Sequence, residues 1–302
     1  QRVWDLCNEK LRSDPAMSVR GMICGSNVAM VGTTDDPCSD LAWHEKLSAD
    51  GSFAPKVLPS FRPDPAVNLH KAGFADYLRK LEETVGREIS TVEDVRQALS
   101  VRIAFFDAHG CRSADHGLDY VMFRPASDMA ATAALRKARA GEPLTREEAE
   151  GYQTALLLHC AREYARLGWV MQLHFSCMRN PNTKILKTLG PDTGFDCMAV
   201  TDSCSATYRL LDTLEQEASL PRTVLYSLNP ADNAWIDTLL GAFQSPEIPG
   251  KIQHGSAWWF NDHKAGMTEH LTSLANLGVL GNFIGMPVSY THLRAHETDQ
   301  YL

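Results

Sequence analysis

Val170-Met171-Gln172-Leu173-His174, with Arg179-Asn180-Pro181-Asn182 close behind, decides how the rest of the chain is read. Trp169 to Leu173 is too short to span a membrane or to stand alone as a helix. Gly168 stops the helix before it and a polar loop follows, so the run is a short buried strand. It ends in an imidazole, where a side chain can face a cleft. A single histidine in that position is equally a core or loop residue. The reading gains weight because the same design, a short apolar run and then a polar terminus, recurs along the chain.

The chain has 302 residues, 44% of them hydrophobic, which suits a large buried core and argues against disorder. Its net charge is −8 with no basic block, so nucleic acid is not expected as a partner. No run approaches the roughly 20 apolar residues of a spanning helix, so no membrane partner is expected either. None of the eight cysteines forms a C-x-x-C pair, which fits free thiols and a cytoplasmic protein. The opening Gln1-Arg2-Val3-Trp4-Asp5-Leu6 reads as the middle of an amphipathic helix, so a preceding segment is expected.

Further strands are expected at 26–34, ending in Thr34; at 56–61, delivering Arg62; and at 101–106, ending in Asp107. Others are expected at 222–228, ending in Asn229, and at 251–257, delivering Trp258. Helices fill the intervals. Thr91-Val92-Glu93-Asp94 and Thr145-Arg146-Glu147-Glu148 are capping boxes, and Gly86 and Gly168 are stops. Asp36 before Pro37 reads as a helix N-cap, or as a carboxylate at a cleft. Asp107, His109, Asp115 and His116 form the densest titratable cluster in the chain. It invites a metal reading, but its spacing favours a substrate-facing loop.

Strand and helix alternate throughout, which predicts a parallel sheet of βα units. Chemistry at nearly every strand end favours a ring of strands over an open sheet, whose ligands gather mainly at one switch point. The expectation is an α/β, (β/α)8 TIM-type barrel, incomplete for want of its first strand and carrying helical insertions.

Several motifs together resemble uronate isomerase (glucuronate isomerase), of the amidohydrolase superfamily. They are Thr33-Thr34-Asp35-Asp36-Pro37 with His44, Leu58-Pro59-Ser60-Phe61-Arg62-Pro63-Asp64, and Ser113-Ala114-Asp115-His116-Gly117-Leu118-Asp119. Met171 to His174 with Arg179, Asn180 and Asn182 follows, then 189–196, then 255–262 with Gly266-Met267. The resemblance implies an aldose–ketose isomerase of D-glucuronate and D-fructuronate, and of D-galacturonate and D-tagaturonate. It places Asp115 and His174 in catalysis at the sugar hydroxyls. Arg62 would hold the substrate carboxylate by two parallel hydrogen bonds, or form a structural salt bridge. Trp259 or Trp258 would form an apolar wall, and Asn229 would bind substrate. The hexuronate is the expected partner, and a homo-oligomer is compatible with the family.

Members of the family also use a divalent metal, zinc by expectation, held by a His-x-His strand and a later Asp. Neither is found here, so no metal ligand is expected in this chain. After Met286 the chain departs from the family ending. Val288 to Thr298 back-translates into a transposase adapter of sequencing libraries. Residues 1–287 are therefore expected to form the partial catalytic barrel and 288–302 a non-native tail, with His292 and His296 not ligands. The chain alone is expected not to turn over uronates; rates matching a full-length relative in the same assay would overturn that. Competing readings are a metal-dependent hydrolase on the same barrel and a uronate-binding barrel without turnover.

Overall fold

Local signals start the helices. Thr91 and Asp94 exchange side-chain and backbone hydrogen bonds at the start of the helix Val92–Ala108, and Thr145 and Glu148 do so before Arg146–Leu167. Each satisfies amide groups that the first turn leaves without partners. Gly86 and Gly168 close their helices at φ 68° and 69°, a left-handed conformation that costs glycine little. The computed structural model describes residues 1–285. The expected tail 288–302, with His292 and His296, lies outside the described residues.

The described residues form eight strands in chain order: β1 Met30–Asp35, β2 Lys56–Phe61, β3 Ser113–Gly117, β4 Val170–Phe175, β5 Cys177–Met178, β6 Cys197–Met198, β7 Arg222–Ser227 and β8 Ile252–His254. Six make one sheet in the order β1-β2-β3-β4-β7-β8, every pairing parallel. β5 and β6 form a separate antiparallel pair above it. The expected alternation of strand and helix is thus present. Among the described residues the sheet is open, because β1 and β8 do not pair with each other.

One strand was expected in the wrong place. Residues 101–106 continue the helix Val92–Ala108, and the third strand is Ser113–Gly117. Val101, Ile103, Phe105 and Phe106 read as β-prone in a short window. Over a longer one, buried Val92, Val95, Leu99, Ile103 and Phe106 recur at three and four residues, the helical period. Asp107 is therefore a helix end. It accepts a hydrogen bond from Trp169 Nε1 (2.9 Å) and pairs with Arg112 (2.9 Å), beside the starts of β3 and β4. His109 turns to Glu45 (3.0 Å). The dense cluster is split between the two ends of the sheet, and its Asp115–Gly117 part is strand, not loop. Asp36 caps no helix either. It accepts from the Cys38 amide (2.8 Å) in a turn, and the next helix begins at Ala42.

The core lies between the sheet and its helices. Phe61, Phe106, Tyr164 and Trp169 meet there, with Tyr164 stacked on Trp169 at 5.7 Å and Phe61 edge-on to Phe106 at 5.1 Å. All four are fully buried. Such pairs add about 0.5–1.5 kcal/mol each beyond the area they bury. This packing lies level with the end of β2 and the starts of β3 and β4, and leaves the residues beyond that layer to carry polar groups. All eight cysteines are free thiols. No helix among the described residues is long and apolar enough to cross a membrane.

Candidate active site

In-register pairing sets Gly117 of β3 beside His174 of β4, and His174 beside Tyr226 of β7. Side chains alternate across a strand, so Asp115, Gly117, His174 and Tyr226 share one face of the sheet. Arg62 follows β2 onto that face. Glycine at position 117 makes this possible, since a Cβ there would stand 2.3 Å from Arg62 Nη2. Thr34, Arg62, Asp115, Gly117, His174 and Trp258 line a cavity of about 120 Å3 with Arg179 and Trp259. A second cavity of about 330 Å3 adjoins it, sharing Arg62, Gly117 and Arg179.

The charges form a chain. Asp64 Oδ2 takes a hydrogen bond from Arg62 Nε (2.8 Å) and another from the Gly117 amide (2.9 Å). Arg62 Nη1 stands 3.2 Å from Asp115 Oδ2, and Asp115 Oδ1 stands 2.7 Å from His174 Nδ1. Burial alone would raise the pKa of Asp115. His174 and Arg62 outweigh it, and the carboxyl is held below its usual value. Asp64 shows the opposite balance, since burial and the neighbouring Asp115 raise its pKa despite Arg62. The Arg62 guanidinium is pushed up, because the two carboxylates overcome its own burial.

His174 is enclosed on its other sides by rings. Tyr226 stacks on it at 4.3 Å with an interplanar angle of 7°, and Trp258 meets it edge-on at 4.9 Å. Both tryptophans line the cavity: Trp258 is buried and Trp259 is 37% exposed. Arg179 spreads over the Trp259 ring at 4.7 Å. Asp196 holds it there, accepting from Arg179 Nη1 and from the Asn180 amide, both at 2.8 Å. The paired β5 and β6 carry these residues to the mouth.

Arg62, Asp115, His174 and Trp259 are thus brought to one cavity. Asn229 is not among its lining residues. Its Oδ1 accepts from the Ala231 amide (3.2 Å) and its Nδ2 reaches Asp232 Oδ1 (3.4 Å), so it caps a short turn. An Asn-Pro after a strand signals such a turn as readily as a ligand contact. Tyr226 was not singled out from sequence. Its position in an apolar strand reads as core, and only its in-register neighbour makes it otherwise. Arg179 was visible within a motif, but its stack on a ring 80 residues away was not.

Among the described residues no three His, Cys, Asp or Glu side chains are grouped closely enough to hold a metal ion. Asp115 and His174 face each other and Arg62. The described residues do not fit a metal centre.

The open parallel sheet, with its cavity beyond the carboxyl ends of the strands, places the chain among parallel α/β proteins whose small-molecule sites lie there. The comparisons narrow this. The family model described as Glucuronate isomerase matches residues 1–297. The chain belongs to the glucuronate isomerase family. It is similar to the uronate isomerase of Lachnoclostridium phytofermentans, 49% identical over 301 residues, covering 100% of this chain and 64% of that one. The uronate isomerase of Salmonella arizonae is 47% identical over 302 residues, again with 64% of its length covered. The chain therefore spans about two thirds of these relatives' length. A crystal structure of uronate isomerase from Thermotoga maritima superposes with a TM-score of 0.85 at 31% identity, covering 92% of this chain and 60% of that one. That of glucuronate isomerase from Caulobacter crescentus gives a TM-score of 0.84 at 24% identity, covering 94% and 58%.

Proposed function

We propose that this chain carries the sugar-handling wall of an aldose–ketose isomerase that interconverts D-glucuronate with D-fructuronate, and D-galacturonate with D-tagaturonate. In the same reading the six-stranded sheet belongs to a (β/α)8 barrel, closed by strands beyond those described. The observation that carries the proposal is the contiguous Arg62–Asp115–His174 chain on one cavity wall. Three groups from three strands, sharing two contacts, are suited to one polar substrate. A divalent metal, zinc by the family expectation, remains part of the proposal for the whole protein, as does its cytoplasmic setting.

The reaction moves a hydrogen between C2 and C1 of the open-chain sugar. Removal of the C2 proton leaves an enediolate, and protonation at C1 completes the ketose. O1 gains a proton and O2 loses one. His174 suits transfer between those two oxygens. Its Nδ1 faces Asp115 Oδ1 at 2.7 Å, which leaves Nε2 as the nitrogen that serves the sugar. Asp115 orients the ring. Arg62 presents a guanidinium to the sugar's carboxylate, and its two carboxylate partners hold the fork in place. The rings of Trp258 and Trp259 exclude water from the same space.

Calorimetry with the 302-residue chain tests the recognition step. D-glucuronate is expected to bind and D-glucose, which lacks the carboxylate, is not. Arg62→Met is expected to weaken glucuronate on the order of tenfold to a hundredfold, the worth of a charge-assisted pair. Equal binding of the two sugars, or an Arg62→Met chain that binds as tightly as its parent, would refute the assignment.

A further inference from the structure

We infer that Tyr226 is a positioning residue for His174, and that Gly255 exists to admit it. One contact at Nδ1 fixes one point of an imidazole but not the plane of its ring. The plane is set by what lies against its faces. Tyr226 lies flat on one face at 4.3 Å, from a strand position in register with His174. Strands hold such geometry more tightly than loops do. The other ring contact, Trp258, comes from the segment after β8 and meets the imidazole at its edge.

Gly255 makes the arrangement possible. A Cβ at that position would stand 2.1 Å from Tyr226 Cε1 and 2.2 Å from Cδ1, in the middle of a rigid ring. Its φ is not in the left-handed region, so space and not backbone conformation demands glycine here. Gly117 does the same for Arg62 on the other side of His174. Two glycines in one layer thus make room for two large side chains, Tyr226 on the imidazole and Arg62 on the carboxylate that meets it. The Tyr226 hydroxyl is buried with no hydrogen-bond partner. Burial raises its pKa, so the phenol stays neutral. The ring, through its face, is what His174 uses.

The test follows the His174 ring by NMR in the 302-residue chain with isotope-labelled histidine, its resonances assigned by loss in His174→Gln. In the parent the ring protons are expected to be sharp and shifted upfield by the Tyr226 face. Tyr226→Phe keeps the ring and should reproduce that spectrum. Tyr226→Met removes it, and the His174 signals should move downfield and broaden. Glucuronate affinity should fall about tenfold in Tyr226→Met, as expected when a side chain that hydrogen-bonds the sugar must be ordered on binding instead of being held beforehand. Should Tyr226→Met fail to fold, Gly255→Ala displaces the same ring and is read in the same way. A folded variant with an unchanged His174 spectrum overturns the inference, and so does a Tyr226→Phe chain that behaves like Tyr226→Met. Only the affinity arm rests on the proposed function. If the parent binds no uronate, that reading fails while the spectra still decide this one.

Discussion

Replacing Asp237 by Ala is expected to remove about 3–5 kcal/mol of stability, a large share of the ~5–15 kcal/mol typical of a folded domain. Asp237 is fully buried on the helix Asn233–Ala242. Its Oδ1 stands 2.7 Å from His254 Nδ1 on β8, and its Oδ2 accepts from Ser273 Oγ at 2.5 Å on the helix Lys264–Leu277. One carboxylate therefore ties three elements at the edge of the sheet. Truncation leaves a buried imidazole and a hydroxyl without it, and opens a void. The cost is the desolvation of the orphaned groups, not the mere loss of two contacts. Asp237→Asn keeps the volume and one acceptor, so its loss should be smaller. Urea unfolding at constant slope measures both. A loss below about 1 kcal/mol for Asp237→Ala would show that the cluster contributes little.

Acid should weaken the fold well before its ordinary carboxylates titrate. His116 is fully buried with no partner at either ring nitrogen, and burial pushes its pKa down to about 4. His270 is likewise pushed down to about 4, by burial and then by His254, whose ring lies 4.3 Å away. Asp237 and a backbone contact to Gly255 oppose that only in part. An unfolded histidine titrates near 6.5. As pH falls below that value the unfolded chain takes up a proton at each of these two positions that the folded chain refuses; burial lowers His70 and His159 too, which adds to the fall, while His109, raised by the Phe105 carbonyl and Glu45, opposes it. Stability therefore drops from about pH 6.5 down to about pH 4, and the two histidines add no further loss below that. Each contributes up to about 3 kcal/mol. Asp64, whose pKa burial raises, works in the opposite direction and softens the fall. Unfolding midpoints between pH 7.5 and 4.5 should show this slope, and His116→Met, His270→Phe or both should flatten it. A parent profile already flat over that range would sink the argument.

How much was legible depended on the range of the interaction. The two capping boxes, the helix stops at Gly86 and Gly168, and the strand Val170–Phe175 were readable because each signal lies within a few residues. Residues 101–106 misled because a six-residue window cannot separate a β-prone run from one face of a 17-residue helix. Asp107 and His109 fell with that error. Asn229 caps a short turn, and an Asn-Pro pair looks the same in sequence whether it turns the chain or meets a ligand.

The sequence by itself determined the alternation of strand and helix, the family, and the residue types at the strand ends. These follow from periodicity, capping and motif order, which are properties of neighbours along the chain. Only the tertiary structure decided that His174 lies between Asp115 and Tyr226, and that Gly117 and Gly255 make room for Arg62 and Tyr226. It also decided that the Asp107–His116 cluster is divided between opposite ends of the sheet. Register and close packing arise between segments about thirty to sixty residues apart, and no local pattern encodes which side chains will touch.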